Sequence, residues 1–153
     1  MKQFKNRIIT ASAGTGKTYR LAVEYIRILL EYYNAEGFSP DNILVLTFTR
    51  KATAEIRERI IGHISLLLSE KEDDKTKRME LLAVIHPQDG PRELSPAERM
   101  VLEGSLNRLS IDRKQLQVMT IDSYINSIFR NIVRPLRSID RFEIDLQAVE
   151  KRL

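Results

Sequence analysis

The sequence predicts an α/β fold, a parallel sheet flanked by helices. Three observations predict it. Ile43-Leu44-Val45-Leu46 is short and continuously apolar, as a strand covered on both faces requires. Ile8-Ile9 leads directly into a turn of small residues, as a buried strand feeding a tight loop should. Between and after these runs the apolar residues fall at helical spacing, and strand alternating with helix makes the strands parallel.

The elements follow in order. From Lys17 a helix carries Leu21, Ala22, Tyr25, Ile26, Leu29, Leu30 and Tyr33 on one stripe, and Gly37-Phe38-Ser39-Pro40 breaks it. After the second apolar run, another helix turns Ala52, Ile56, Ile60, Ile64 and Leu67 inward. Glu55 and Arg59 are four apart in the favourable order, a surface pair worth about 0.3 kcal/mol. Residues 69–80 are rich in Lys, Asp and Glu and read as a solvated helix end or a linker. Beyond the loop His86-Pro87-Gln88-Asp89-Gly90-Pro91, Ser95-Pro96-Ala97-Glu98 opens a helix. Ser95 caps it, Pro96 takes the first helical position and Glu98 completes a capping box. Residues 116–121 suit a third strand, and the helix after it places Tyr124, Ile125, Ile128, Phe129 and Ile132 inward.

Composition sets outer limits. With 42% hydrophobic and 30% charged residues the chain is an ordinary folded protein. The absence of cysteine excludes disulfides, thiolate metal sites and cysteine nucleophiles. No apolar run approaches the ~20 residues of a membrane span, and none suits a signal peptide, so a cytoplasmic location with no membrane partner is expected. A net charge of +4 permits an anionic partner without demanding one.

The chemistry concentrates in Ala11-Ser12-Ala13-Gly14-Thr15-Gly16-Lys17-Thr18, a phosphate-binding loop with alanine in place of its first glycine. Gly14 and Gly16 let the backbone curl so that successive N–H groups meet phosphate oxygens. Lys17 suits the β- and γ-phosphates of ATP, and the Thr18 hydroxyl suits Mg²⁺. The helix beginning at Lys17 adds its positive end. A plain glycine-rich turn with a capping threonine would look similar. The apolar strand before the loop and the amphipathic helix after it favour the nucleotide.

Three ordered segments narrow the class: this loop, then Ile43-Leu44-Val45-Leu46-Thr47-Phe48-Thr49-Arg50-Lys51-Ala52-Thr53-Ala54-Glu55-Ile56-Arg57-Glu58-Arg59-Ile60, then Val118-Met119-Thr120-Ile121-Asp122-Ser123-Tyr124. Together they resemble motifs of the UvrD/Rep family of superfamily 1 DNA helicases, with wording closest to its RecB/AddA-like branch. The resemblance implies a P-loop NTPase, RecA-like domain that binds ATP and Mg²⁺ and tracks single-stranded DNA, in DNA repair or recombination. It makes Lys17 and Thr18 catalytic, and it makes Thr47, Phe48, Thr49, Lys51, Thr120, Ser123 and Tyr124 DNA contacts. Phe48 suits base stacking, and Thr47, Thr49 and Lys51 suit phosphates. Simple core packing is the alternative for Phe48. Arg50 departs from the asparagine usual in the family. Asp122 stands where the family often has histidine and is expected to cap the following helix.

No strand ending in Asp-Glu follows residue 124, so the expectation is an incomplete domain. Residues 1–135 form the first part of the ATPase domain, with a charged insert near 69–94, and residues 136–153 begin an inserted subdomain or tail. The 153-residue chain alone is then expected to be inactive, its partners being the remaining helicase domains. Two other readings compete. One is a self-contained small P-loop kinase or NTPase with Asp122 as its Mg²⁺ carboxylate; the other is a module that only holds single-stranded DNA. His63 and His86 lie far apart with no carboxylate at ligand spacing, and structural roles are expected for both. Asp140, Glu143 and Asp145 are interrupted by Arg141 and read as a solvated face.

Overall fold

A computed structural model describes residues 16–90, 92–111 and 116–133. The strand expected at residues 7–10 and the acidic cluster beyond residue 139 lie outside them. The chain divides into two compact units, one ending at Thr120 and one beginning at Ile121. No helix among the described residues is long and apolar enough to cross a membrane.

The first unit holds α1 (Lys17–Tyr32), β1 (Val45–Thr47), α2 (Arg50–Leu68), α3 (Lys75–Ile85), α4 (Pro96–Ile111) and β2 (Val118–Thr120). The strands pair in parallel, Val45 with Val118, Leu46 with Met119 and Thr47 with Thr120. This is an α/β arrangement, helix-rich, with two parallel strands among the described residues. Parallel strands cannot be joined by a tight turn; here α2, α3 and α4 make the crossover.

The core forms where α1 meets α2. Ala22, Ile26 and Leu29 of α1 pack with Ile56, Ile60, Ile64 and Leu67 of α2, all at most 2% exposed. The α1 stripe is centred slightly differently from the sequence expectation: Val23 and Tyr32 join it, Leu21 is 42% exposed, and Tyr33 lies past the helix end. On α2, Thr53 is buried where Ala52 was expected, and Ala52 is half-buried. The Glu55–Arg59 pair forms at 3.3 Å.

Two expectations about cover are corrected. Ile43 and Thr47 turn inward, but Leu44 and Leu46 are 41% and 40% exposed. The run therefore alternates: α2 packs against the strands, and among the described residues nothing buries the other side. Residues 70–73, 75–77 and 80 are exposed, as a solvated segment should be, but the stretch is ordered rather than a linker. Arg78 donates to the Ser69 and Lys71 carbonyls at 2.7 and 2.9 Å, and the Ser69 hydroxyl donates to Asp74 at 2.7 Å. These bonds close the α2–α3 turn, and Leu81, Leu82 and Ile85 anchor α3 in the core. The charge run serves the turn that apolar residues just beyond it hold in place.

The capping box at the start of α4 forms as its sequence demands. Ser95 N–H donates to Glu98 at 2.9 Å, and Glu98 N–H donates to the Ser95 hydroxyl at 3.3 Å. Arg92 adds a bidentate pair to the Glu98 carboxylate at 2.8 and 2.7 Å. Hydrogen bonding from Arg92, aided by Ser95 against the opposing effect of burial, lowers the Glu98 pKa from 4.5 to about 2.

The second unit contains α5 (Ile121–Ile128) and a π-helical turn over Phe129–Val133. The expected inward stripe is not buried: Ile125, Ile128 and Ile132 are 46%, 38% and 56% exposed, and Tyr124 and Phe129 are half-buried. Periodicity identifies an apolar face without saying what covers it.

Glu98 is depressed in the folded state, so its stabilisation is present above the unfolded pKa and is lost as pH falls from about 4.5 through about 2. Glu98→Gln is expected to flatten that part of the stability–pH curve, read by denaturant unfolding at successive pH values. Ser95→Ala is expected to lower stability by about 1 kcal/mol at neutral pH.

Candidate functional site

Of the phosphate-loop residues, Gly16, Lys17 and Thr18 are described; Ala11, Ser12, Ala13, Gly14 and Thr15 lie outside the described residues. Gly16 precedes α1 with φ 78° and ψ 30°, the left-handed region. A Cβ there would meet only Tyr19 Cβ at 3.8 Å, so backbone conformation rather than space requires glycine. Among the described residues no side chain caps α1, and its first turn holds no acid. The helix start therefore keeps its N–H groups and positive dipole end available to an anion. Lys17 is exposed and makes no ion pair among the described residues, and Thr18 is half-buried.

At the end of β1 three threonines lock a short loop. The Thr47 and Thr53 hydroxyls are 2.7 Å apart, and each lies 3.1 Å from the Thr49 carbonyl. The Thr49 side chain caps α2, accepting from Ala52 N–H at 3.1 Å. Phe48 lies between these two held threonines, Thr47 and Thr49, and turns away from them. Phe48 is 88% exposed, the most exposed large apolar side chain of the described residues. Lys51 is exposed on the first turn of α2.

The end of β2 lies beside this loop, because Thr47 pairs with Thr120. Both threonines are buried, at 6% and 8% exposure. Arg57 of α2 donates to the Val118 carbonyl, tying the helix to β2 across 61 residues of sequence. Sequence reasoning missed Thr53 and Arg57. The signal for both was position: each follows the Thr49 cap on the helix face that turns toward the strands. Ser123 is exposed and Tyr124 half-buried on α5, in the second unit. Asp122 is exposed within the first turn of α5 rather than ahead of it. It favours the helix through the dipole and is not its cap.

The histidines have structural surroundings. His63 meets the Tyr19 ring edge-on, centroids 5.1 Å apart, and burial followed by Arg59 lowers its pKa. His86 differs from expectation in having carboxylates near it, Glu98 at 3.6 Å and Asp89 at 4.0 Å. Arg92 pairs with both acids, and burial and then Arg92 lower the His86 pKa against the opposing pull of Glu98 and Asp89. No cluster of three or more potential metal-binding side chains occurs among the described residues.

With this geometry in place, comparison with known proteins decides the family. Residues 2–150 match the UvrD/REP helicase N-terminal domain. The chain belongs to that family. Among similar proteins is the RecBCD enzyme subunit RecB of Escherichia coli K12. It is 47% identical over 62 residues, 38% of this chain and 5% of that protein. Another is an ATP-dependent helicase/nuclease subunit of Clostridium botulinum strain Hall. It is 41% identical over 76 residues, 50% of this chain and 6% of that protein. The matched segments thus span about a twentieth of either relative. No solved structure matches.

Gly16→Ala is expected to destabilise the protein by about 1 kcal/mol, since a non-glycine residue must hold a left-handed conformation. Thr47→Val, which opens the threonine triangle, is expected to cost about 1 kcal/mol. Chemical denaturation midpoints check both.

Proposed function

We propose that this chain is the ATP-binding part of a DNA helicase that moves along single-stranded DNA in the cytoplasm, in repair or recombination. The observation that carries the reading is Phe48. An aromatic ring left 88% exposed at the carboxyl end of a parallel strand has no packing role. Ligands of open α/β sheets bind at that end, and a base can stack on such a ring whatever its sequence. The core-packing alternative for Phe48 is disfavoured by the same exposure.

On this reading the nucleotide sits against the start of α1, within a RecA-like P-loop fold. Gly16 and the loop residues Ala11, Ser12, Ala13, Gly14 and Thr15 would hold the phosphates, Lys17 would meet the β- and γ-phosphates, and Thr18 would hold Mg²⁺. The uncapped helix start, the left-handed Gly16 and the exposed Lys17 all fit that group. Bound Mg²⁺–ATP supplies the hydrolysable phosphate whose turnover drives movement. Phe48, Thr49, Lys51, Ser123 and Tyr124 are the proposed DNA contacts. Thr47 and Thr120 are buried, and Thr47 is hydrogen-bonded inward. That burial suits shaping the loop better than touching a phosphate.

Residues 1–135 would form the first part of the ATPase domain, with residues 69–94 folded in as an insertion, and residues 136–153 would open the next subdomain. The proposed partners are single-stranded DNA and the further domains a helicase motor needs. The small-kinase reading requires Asp122 to end a strand beside Mg²⁺. Its place inside α5, past the end of β2, weighs against that.

Phe48→Ala in the full-length protein should weaken single-strand binding by about 1–3 kcal/mol and leave ATP affinity unchanged. Lys17→Ala should remove ATP-dependent unwinding while DNA binding persists, and Asp122→Ala should leave Mg²⁺-dependent nucleotide binding intact. Unaltered DNA affinity in the Phe48 variant would sink the stacking assignment.

A further inference from the structure

The first turn of α2 is built against its own dipole. It contains no acidic residue and begins Arg50-Lys51, two cations where the helix already carries partial positive charge. Arg50 is exposed and forms no hydrogen bond or ion pair among the described residues. Nothing described within the first unit compensates that charge or uses it.

Its placement gives it a use. Arg50 and Arg57 are seven residues apart, so they lie on nearly the same stripe of α2, about 10 Å apart along the axis. Arg57 fixes the direction of that stripe, because its guanidinium reaches the Val118 carbonyl at the start of β2. Arg50 therefore stands on the β2 side of the helix. Thr49 caps α2 two residues after β1 ends, and Thr47 is level with Thr120. The helix thus runs back along the strands from their carboxyl ends. Arg50, the first residue of α2, lies at that end, two residues after the exposed Phe48.

We propose that Arg50 neutralises a phosphate of the single strand next to the base stacked on Phe48, extending the DNA footprint from β1 toward the end of β2. The inference rests on the Phe48 reading above. Lys51, on the same turn but a neighbouring face, is already placed in that footprint; Arg50 adds a separate charge on the β2 side. A cation held unpaired at a helix start lowers stability and becomes favourable only when an anion arrives. Stability and DNA affinity should therefore respond to its removal in opposite directions.

The test is the salt dependence of binding. Full-length protein would be titrated against a fluorescent oligothymidine strand at several salt concentrations, for the native protein and for Arg50→Asn, Arg50→Lys and Phe48→Ala. Each phosphate neutralised on a single strand contributes about 0.7 to the slope of log affinity against log salt. Arg50→Asn should reduce the slope by about that amount, so that the native advantage shrinks about 2.5-fold between 50 and 200 mM salt. Arg50→Lys should restore the slope, and Phe48→Ala should weaken binding with the slope kept. ATP affinity should be the same in all four, and the melting temperature of Arg50→Asn should be equal or higher. An unchanged slope in Arg50→Asn, with Phe48→Ala still weakened, would overturn the Arg50 assignment and leave the DNA reading standing. Unchanged binding in both variants would overturn this assignment together with the reading on which it rests.

Discussion

The parallel pairing of β1 with β2 is the constraint on which the rest of the first unit depends. Three residue pairs bring together segments whose partners are 73 positions apart, Val45 with Val118 being the first. The chain between them must leave one strand end and return to enter the other strand from the opposite end. α2 makes the first leg, packed on α1 through Ile56, Ile60 and Ile64, and Arg57 fastens it to β2. α3 and α4 complete the return. The result sets Thr47 level with Thr120, so the loop after one strand lies beside the end of the other. A slip of one residue would send Thr47 outward and Leu46 inward, undoing the threonine triangle that exposes Phe48.

Much of this was legible in the sequence, and the residues show why. Ser95 and Glu98 announced a capping box because the two bonds are local and depend on spacing alone. Glu55 and Arg59 were readable for the same reason. The inner face of α2 followed from its period, with Thr53 in place of Ala52 as the one change. What the sequence could not show was cover. Leu44 and Leu46, like Ile125 and Ile132, are apolar at the right period and yet exposed, since a period defines a face and not its neighbour. Residues 69–80 were read in part: most of their charges are exposed, as a solvated segment implies, but Asp74 and Arg78 close a turn, which composition does not distinguish from solvation. At the candidate site, residue types were legible but directions were not. That Thr47 points in and Phe48 points out depends on bonds to Thr49 and Thr53.

The two halves of the site use polar groups in opposite ways. At the end of β1 the hydroxyls are buried and mutually satisfied, which makes the loop stiff and leaves a hydrophobic ring in water. At the start of α1 the backbone N–H groups lack a side-chain cap, and the adjacent lysine has no ion pair among the described residues. On the proposed reading the first arrangement would receive a base and the second a phosphate. A stiff loop also holds Phe48 in place before any partner arrives, so little ordering entropy is lost on contact.

The contact between Tyr19 and His63 makes α2 the link between the two parts of the candidate site. Tyr19 stands one residue past the phosphate-loop threonine, and its ring meets α2 in the helix's second half. From His63 back to the cap at Thr49 the helix runs about 20 Å. α2 thus meets the first turn of α1 in its second half and carries the exposed ring at its start. Between those two points α2 is held by its buried face, Ile56 and Ile60 in the core and Arg57 on the Val118 carbonyl, so one continuous packed element joins the start of α1 to the loop that carries Phe48.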